Sequence, residues 1–213
     1  MTKKERKDYF GERLFLKGNG YFADIQVEND VVIKGNNDSY DIKAKGNIVI
    51  QGKNNASHIV TRGNIIIYGD NKSSYISSKG NITILGNNES GSISTEGNVF
   101  IYGNNDFTAI FTKGNIGIWG NNNSSYDIST IGDITIYGNN ESGDITTEGD
   151  VLIYGNNVSE KIKTKGCVVI FGDFIEGEII ADTVIIYGST YKGTNIKAKK
   201  ITVKGKKHIT KIK

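Results

Sequence analysis

The side chains of this chain that could do chemistry are few and dispersed. Two histidines (His58 and His208), one cysteine (Cys167) and 23 acidic residues are spread over 213 positions. Metal or nucleophilic chemistry needs such groups gathered at ligand or triad spacing. Neither histidine stands with a cysteine or carboxylate at the spacing of a metal site, and both read as isolated outward residues. Glu89, Asp106, Glu141, Asp144 and Glu148 do not form the tight carboxylate pair that sugar cleavage requires. No long insertion is present that would build a cleft. The Gly-Gly-x-Gly-x-Asp pattern of calcium-binding repeats is absent, and the Gly-Asn-Asn runs precede no helix that could hold phosphate at its N-terminus. A lone cysteine excludes an internal disulfide and reads as an inert surface thiol in a reducing compartment. The expectation is a non-enzymatic protein with no catalytic residues, metal, cofactor or small-molecule substrate.

Two sets of residues remain. Tyr68, Tyr102, Trp119, Tyr137, Tyr154, Phe171 and Tyr187, with Leu85 among them, each precede a glycine at a near-constant interval. Two positions earlier stand Ile66, Phe100, Leu152 and other apolar residues. Such an apolar patch on an outward face marks a contact surface. We read Ile66, Tyr68, Phe100, Tyr102, Trp119, Tyr137, Leu152, Tyr154, Phe171 and Tyr187 as candidates for self-association. Two other readings stay open: like-on-like stabilisation of the sheet itself, and stacking on a glycan or nucleic acid. The second set is basic. Nine lysines and no acidic residue lie between Lys192 and Lys213, leaving 17 basic against 23 acidic residues elsewhere. Lys199, Lys200, Lys204, Lys206 and Lys207 are candidate anion contacts, toward an anionic membrane or nucleic acid. A solvated end that discourages runaway stacking, or a contact with the acidic body of another subunit, explains the same charge.

The elements that must position these residues come from a repeat of about 17 residues. Its turn glycine recurs at Gly18, Gly35, Gly52, Gly69, Gly86, Gly103, Gly120, Gly138, Gly155, Gly172, Gly188 and Gly205, which makes twelve copies. One copy is a residue longer, at Asn121-Asn122-Asn123-Ser124, and the copy from Gly166 is a residue shorter. Each copy carries an aliphatic pair two apart, as in Ile82 and Ile84, and a lone Ile further on, as in Ile93. A Thr or Ser follows two residues after the lone Ile, and Asn holds a fixed column from Asn37 to Asn157. Alternation around the pairs is a strand signature, and no segment has a helical period. The Gly-Asn corners read as turns in which both residues tolerate positive φ. One copy cannot bury its aliphatic residues alone, whereas stacked copies can. The predicted fold is therefore all-β: a single parallel β-solenoid, right-handed by the crossover rule, of about 12 coils. At about 4.8 Å per coil it would be a rod roughly 58 Å long. The stacked Asn are expected to form an amide ladder, and the Thr/Ser hydroxyls to bond a neighbouring carbonyl. The outward column beside them reads Val60, Ser77, Ser94, Phe111, Ser129, Thr146 and Lys163, too mixed for the regular threonine array of an ice-binding face.

Residues 1–11 read as a basic N-terminal segment or cap, and residues 12–213 as the solenoid, with Lys-rich last coils at 192–213. The absence of proline fits unbroken ladders. No apolar run long enough for a signal peptide or membrane span is visible, so the expected location is cytoplasmic.

Coils such as Gly132-Asp133-Ile134-Thr135-Ile136-Tyr137-Gly138 resemble those of the bactofilins, bacterial polymer-forming cytoskeletal proteins. The resemblance covers most of the chain, although the chain has about twice as many coils as the usual family core. It implies a β-solenoid that forms non-polar filaments through end-to-end contacts without nucleotide. It further implies an N-terminal membrane-targeting stretch, which Lys3-Lys4-Glu5-Arg6-Lys7-Asp8-Tyr9-Phe10 weakly matches. Residues and resemblance together suggest a structural scaffold that makes a homo-oligomer or filament. A binding module holding a glycan or nucleic-acid polymer along the aromatic stripe is the alternative.

Overall fold

The computed structural model describes residues 7–208 and 211–212. Most of the N-terminal basic run, Met1 to Arg6, lies outside the described residues, as does Lys213. The fold is all-β, a single parallel solenoid of about twelve coils. Among the described residues there is no helix, hence none long and apolar enough to cross a membrane.

Each coil has three sides. The first is a short strand around the aliphatic pair, such as Ile65–Ile67, Ile82–Ile84 and Val99–Ile101, paired in parallel with like residue on like. The second surrounds the lone Ile, as in Tyr75–Ser78, Ser92–Thr95 and Ala109–Thr112. The third is little more than one bridging Asn per coil, from Asn37 to Asn105, widening to a strand pair at Asn122. The inward aliphatic residues of successive coils, mostly isoleucines, are buried in one continuous core. At about 1.5–3 kcal/mol per buried side chain, this column drives stacking, and no coil is stable without its neighbours.

The buried Asn column is an unbroken amide ladder. Nδ2 of Asn37 donates to Oδ1 of Asn54 at 2.9 Å, and the pattern repeats through Asn71, Asn88, Asn105, Asn122, Asn140 and Asn157 at 2.7–2.9 Å. A second buried column supports it: Ser39, Ser73 and Ser90 each donate to the Asn Oδ1 two residues before. The ladder stops at Phe174, fully buried where the next Asn would stand. The short copy loses its residue at the corner between Ile180 and Thr183, where the register passes from Lys163 with Ile180 to Cys167 with Thr183; Gly177, with φ of 113°, marks a local irregularity in the strand before it. The Thr column behaves as expected: Thr61, Thr95, Thr112, Thr130, Thr147 and Thr164 each donate to the carbonyl of a glycine one coil earlier.

The corners correct the expectation about their backbone. Of the repeat's turn glycines only Gly18 has positive φ; Gly177 and Gly193 lie in irregular coils. The others are glycine because successive corners nearly touch: a Cβ at Gly63 would lie 2.6 Å from the carbonyl carbon and oxygen of Gly46. The Asn that follows bonds along the stack. Oδ1 of Asn47, Asn64, Asn81 and Asn98 accepts the backbone N–H of the Asn one coil on, at 2.7–2.8 Å. Cys167, half-buried rather than fully outward, donates its backbone N–H to Asp150 Oδ1 at 2.7 Å and offers no side-chain oxygen to the next coil.

One corner is strained. Phe107 has φ of 55° and is two-thirds exposed, while Thr108 turns inward, fully buried, in the place Ser90 fills one coil earlier. A bulky residue in the left-handed region is costly, whereas Asn tolerates it. Phe107→Asn is expected to raise stability by about 0.5–1 kcal/mol in urea unfolding; an equal loss would mean that the ring packs on something in solution.

At the N-terminal end, β1 (Lys7–Gly11) lies in parallel on β3 (Phe22–Val27), with β2 (Leu14–Lys17) between them in sequence. Tyr9 stands over Ile25 and packs edge-on against Phe22 at 5.9 Å, so its ring closes the end of the core. A register shift between Lys7 and Tyr9 interrupts this edge, a device that hinders edge-to-edge addition.

Candidate interaction face

The first side of the coil places the aromatic candidates. Around each buried pair the residue between, and the one just after, point outward. The register therefore stacks Tyr102, Trp119, Tyr137, Tyr154, Phe171 and Tyr187 in one line. Successive ring centroids lie 4.4, 5.4, 4.9, 4.8 and 4.8 Å apart, with planes within 18° of parallel. Each ring is 38–48% exposed. Tyr68 belongs to the same column, but Leu85 separates it from the rings below. Beside the ladder run Ile66, Phe100 and Leu152, half-buried. Gly117 breaks that inner line for a packing reason: a Cβ there would lie 2.8 Å from the Trp119 ring. The indole leans over this gap and meets Phe100 edge-on at 6.0 Å.

This geometry decides what the ladder can present. The rings stack on one another, so their faces are covered along its length. Only the two ends expose a face, toward Leu85 and toward Lys204. The surface offered outward is a strip of ring edges and tyrosine hydroxyls. A planar base or sugar has no ring face to stack on in the middle of the strip.

The basic end is less free than its composition suggests. Lys199 pairs with Asp182 at 3.0 Å, and Lys197 with Glu178 at 2.6 Å. The Lys197 ammonium, helped by Lys161, holds the Glu178 carboxyl below the usual carboxylate range. Lys200, Lys204, Lys206 and Lys207 are exposed and make no ion pair among the described residues.

His58, read as isolated, has a partner one coil above: its Nδ1 lies 2.8 Å from Asp41 Oδ1, and its ring meets Tyr75 edge-on at 6.4 Å. A separation of 17 residues is adjacency in this fold, and that signal was available in the sequence. Among the described residues no group of three or more His, Cys, Asp or Glu is placed to hold a metal. Compared with protein-family models, curated proteins and solved structures, the chain matches none.

Proposed function

We propose that this protein is a non-enzymatic structural scaffold: a rigid β-solenoid rod that associates with copies of itself, through its aromatic face, its ends or both, into dimers or filaments. The observation that carries the reading is the half-exposed six-ring ladder on a straight sheet face. Ring edges and hydroxyl tips suit a second flat face, where edge-to-face packing and hydroxyl bonds both form. The resemblance of the coils to bactofilins supports a polymer-forming role of this kind, in the cytoplasm.

The paired substitution Tyr102→Ser, Trp119→Ser tests the face. Circular dichroism should stay that of a β-solenoid. Any assembly seen for the unaltered protein by sedimentation velocity and electron microscopy should weaken by at least about tenfold, the loss of one or two aromatic contacts. Unchanged assembly, or an unaltered protein that stays monomeric, overturns the lateral contact. The alternative, a module that holds a polyanion at the free lysines Lys200, Lys204, Lys206 and Lys207, predicts binding that falls steeply with salt; assembly by apolar burial does not.

A further inference from the structure

The corner that follows the Thr column carries a charge code. Residues one coil apart stand side by side there, and they match by sign: Lys45 with Glu28, Lys113 with Glu96 at 3.6 Å, Lys165 with Glu148 at 2.8 Å, and Lys199 with Asp182 at 3.0 Å. Two consecutive steps break the rule, from Lys45 to Arg62 and from Arg62 to Lys79, and among the described residues only Lys45 of the three has an ion-pair partner, Glu28. Arg62 and Lys79 occupy successive coils, both exposed, and neither makes an ion pair among the described residues. The stack sets their backbones about 4.8 Å apart, so the two like charges repel each other, and an anion between them would relieve the repulsion.

Beside this pair the second face is hollowed into a groove of about 620 Å³. Val60, Ser77 and Ser94 line it beside the two cations, together with Lys43, Lys113 and one carboxylate, Glu96. The Ser77 and Ser94 hydroxyls make no hydrogen bond among the described residues. The carboxylates nearby are committed: Glu96 to Lys113, and Asp41 to Lys43 at 3.5 Å and to His58. Further along the same face a second hollow of about 350 Å³ is built from Thr146, Thr147 and Lys163 in the same columns, but there the corner cation Lys165 is neutralised by Glu148. The two hollows share their construction and differ in charge.

We propose that the groove beside Arg62 and Lys79 binds a phosphoryl oxyanion. The guanidinium fork takes two oxygens, the ammonium supplies a point charge, and the serine hydroxyls donate beside them. The site lies on a different face from the aromatic ladder and stands whether or not the rods associate.

Titration calorimetry at low salt, with inorganic phosphate and with tripolyphosphate as probes, tests it. One saturable site is expected for at least one probe. Saturation by phosphate alone identifies a small free ion as ligand; saturation only by tripolyphosphate identifies a phosphate chain long enough to bridge both cations. Arg62→Gln with Lys79→Gln should weaken that binding by at least about tenfold, the loss of two charge-assisted contacts. Lys165→Gln, at the neutralised hollow, and the pair Lys206→Gln, Lys207→Gln, at the basic end, should leave it unchanged. Absence of saturable binding by either probe overturns the proposal, as does an equal loss in the Lys206, Lys207 pair.

Discussion

Replacing Gly103 by alanine is expected to destabilise the rod by about 3 kcal/mol or more, a large effect for one methyl group at a surface corner. The added Cβ would lie 2.5 Å from Asn87 Oδ1, 2.6 Å from the Gly86 carbonyl oxygen and 2.7 Å from the Asn87 nitrogen. Two of these neighbours are backbone and cannot swing away. Relief requires the coils to part, and parting them breaks the Gly103 N–H bond to Gly86 and the Asn104 N–H bond to Asn87 Oδ1. Because each coil touches only its neighbours, a fault in mid-stack divides the rod into two weakly coupled halves. Unfolding in urea, followed by circular dichroism, should shift to lower concentration and separate into two steps. Gly193→Ala is the control. Its Cβ meets nothing within 4 Å, but φ is 107°, so it should cost only the backbone term of about 1–2 kcal/mol and leave one transition. If the Gly103 variant is the milder of the two, close approach of the corners is not why glycine recurs there.

The second large effect is expected from Asn105→Asp, which keeps the shape and removes a donor. Asn105 is fully buried, accepts from Asn88 Nδ2 and donates to Asn122 Oδ1, both at 2.8 Å. An aspartate there sets a charged oxygen against the Asn122 carbonyl oxygen in a fully buried column. The cost at neutral pH should be about 3–5 kcal/mol, that of an uncompensated buried charge. Protonated, the same carboxyl can donate to Asn122 and restore the ladder. Its pKa in the folded state is therefore raised above the unfolded value near 3.9. The folded state then holds the proton more tightly, so the deficit is small below about pH 4 and grows as pH rises toward the folded-state pKa. Urea midpoints for the variant and the unaltered protein should converge at acid pH and diverge at pH 7. A deficit independent of pH would show that the Asn column contributes shape rather than hydrogen bonds.

Much of this fold is legible in the sequence because a solenoid converts spacing directly into contact. The pairs Ile82 with Ile65 and Ile84 with Ile67 are neighbours because the period says so. The inward Asn column and the outward aromatic column follow from alternation alone. Less legible was anything that depends on how close the layers come. Composition points the corner glycines to positive φ, whereas their spacing to the previous corner is what excludes a side chain. Phe174 in the Asn column gave no periodic signal, because a single large apolar residue there looks like noise until its burial is known. The stripe's aromatic content was readable, but not that its rings lie face to face and so withhold their faces from a ligand. Pairings such as His58 with Asp41 and Lys165 with Glu148 were within reach, since each separates by one period. Their partners stand one layer away and not nearby along the chain, where motif spacing lies.

The amide ladder has a direction. From Asn37 to Asn140 each Nδ2 donates to the Oδ1 of the following coil, so the side-chain dipoles joined by these seven bonds add head to tail up to Asn157. The hydrogen-rich pole faces the same end of the rod as the lysine-rich last coils, and the oxygen-rich pole faces away from it. The molecule is therefore an electrically directed needle. In solution it should turn in an applied field, and two such needles lying side by side are favoured when they point in opposite senses.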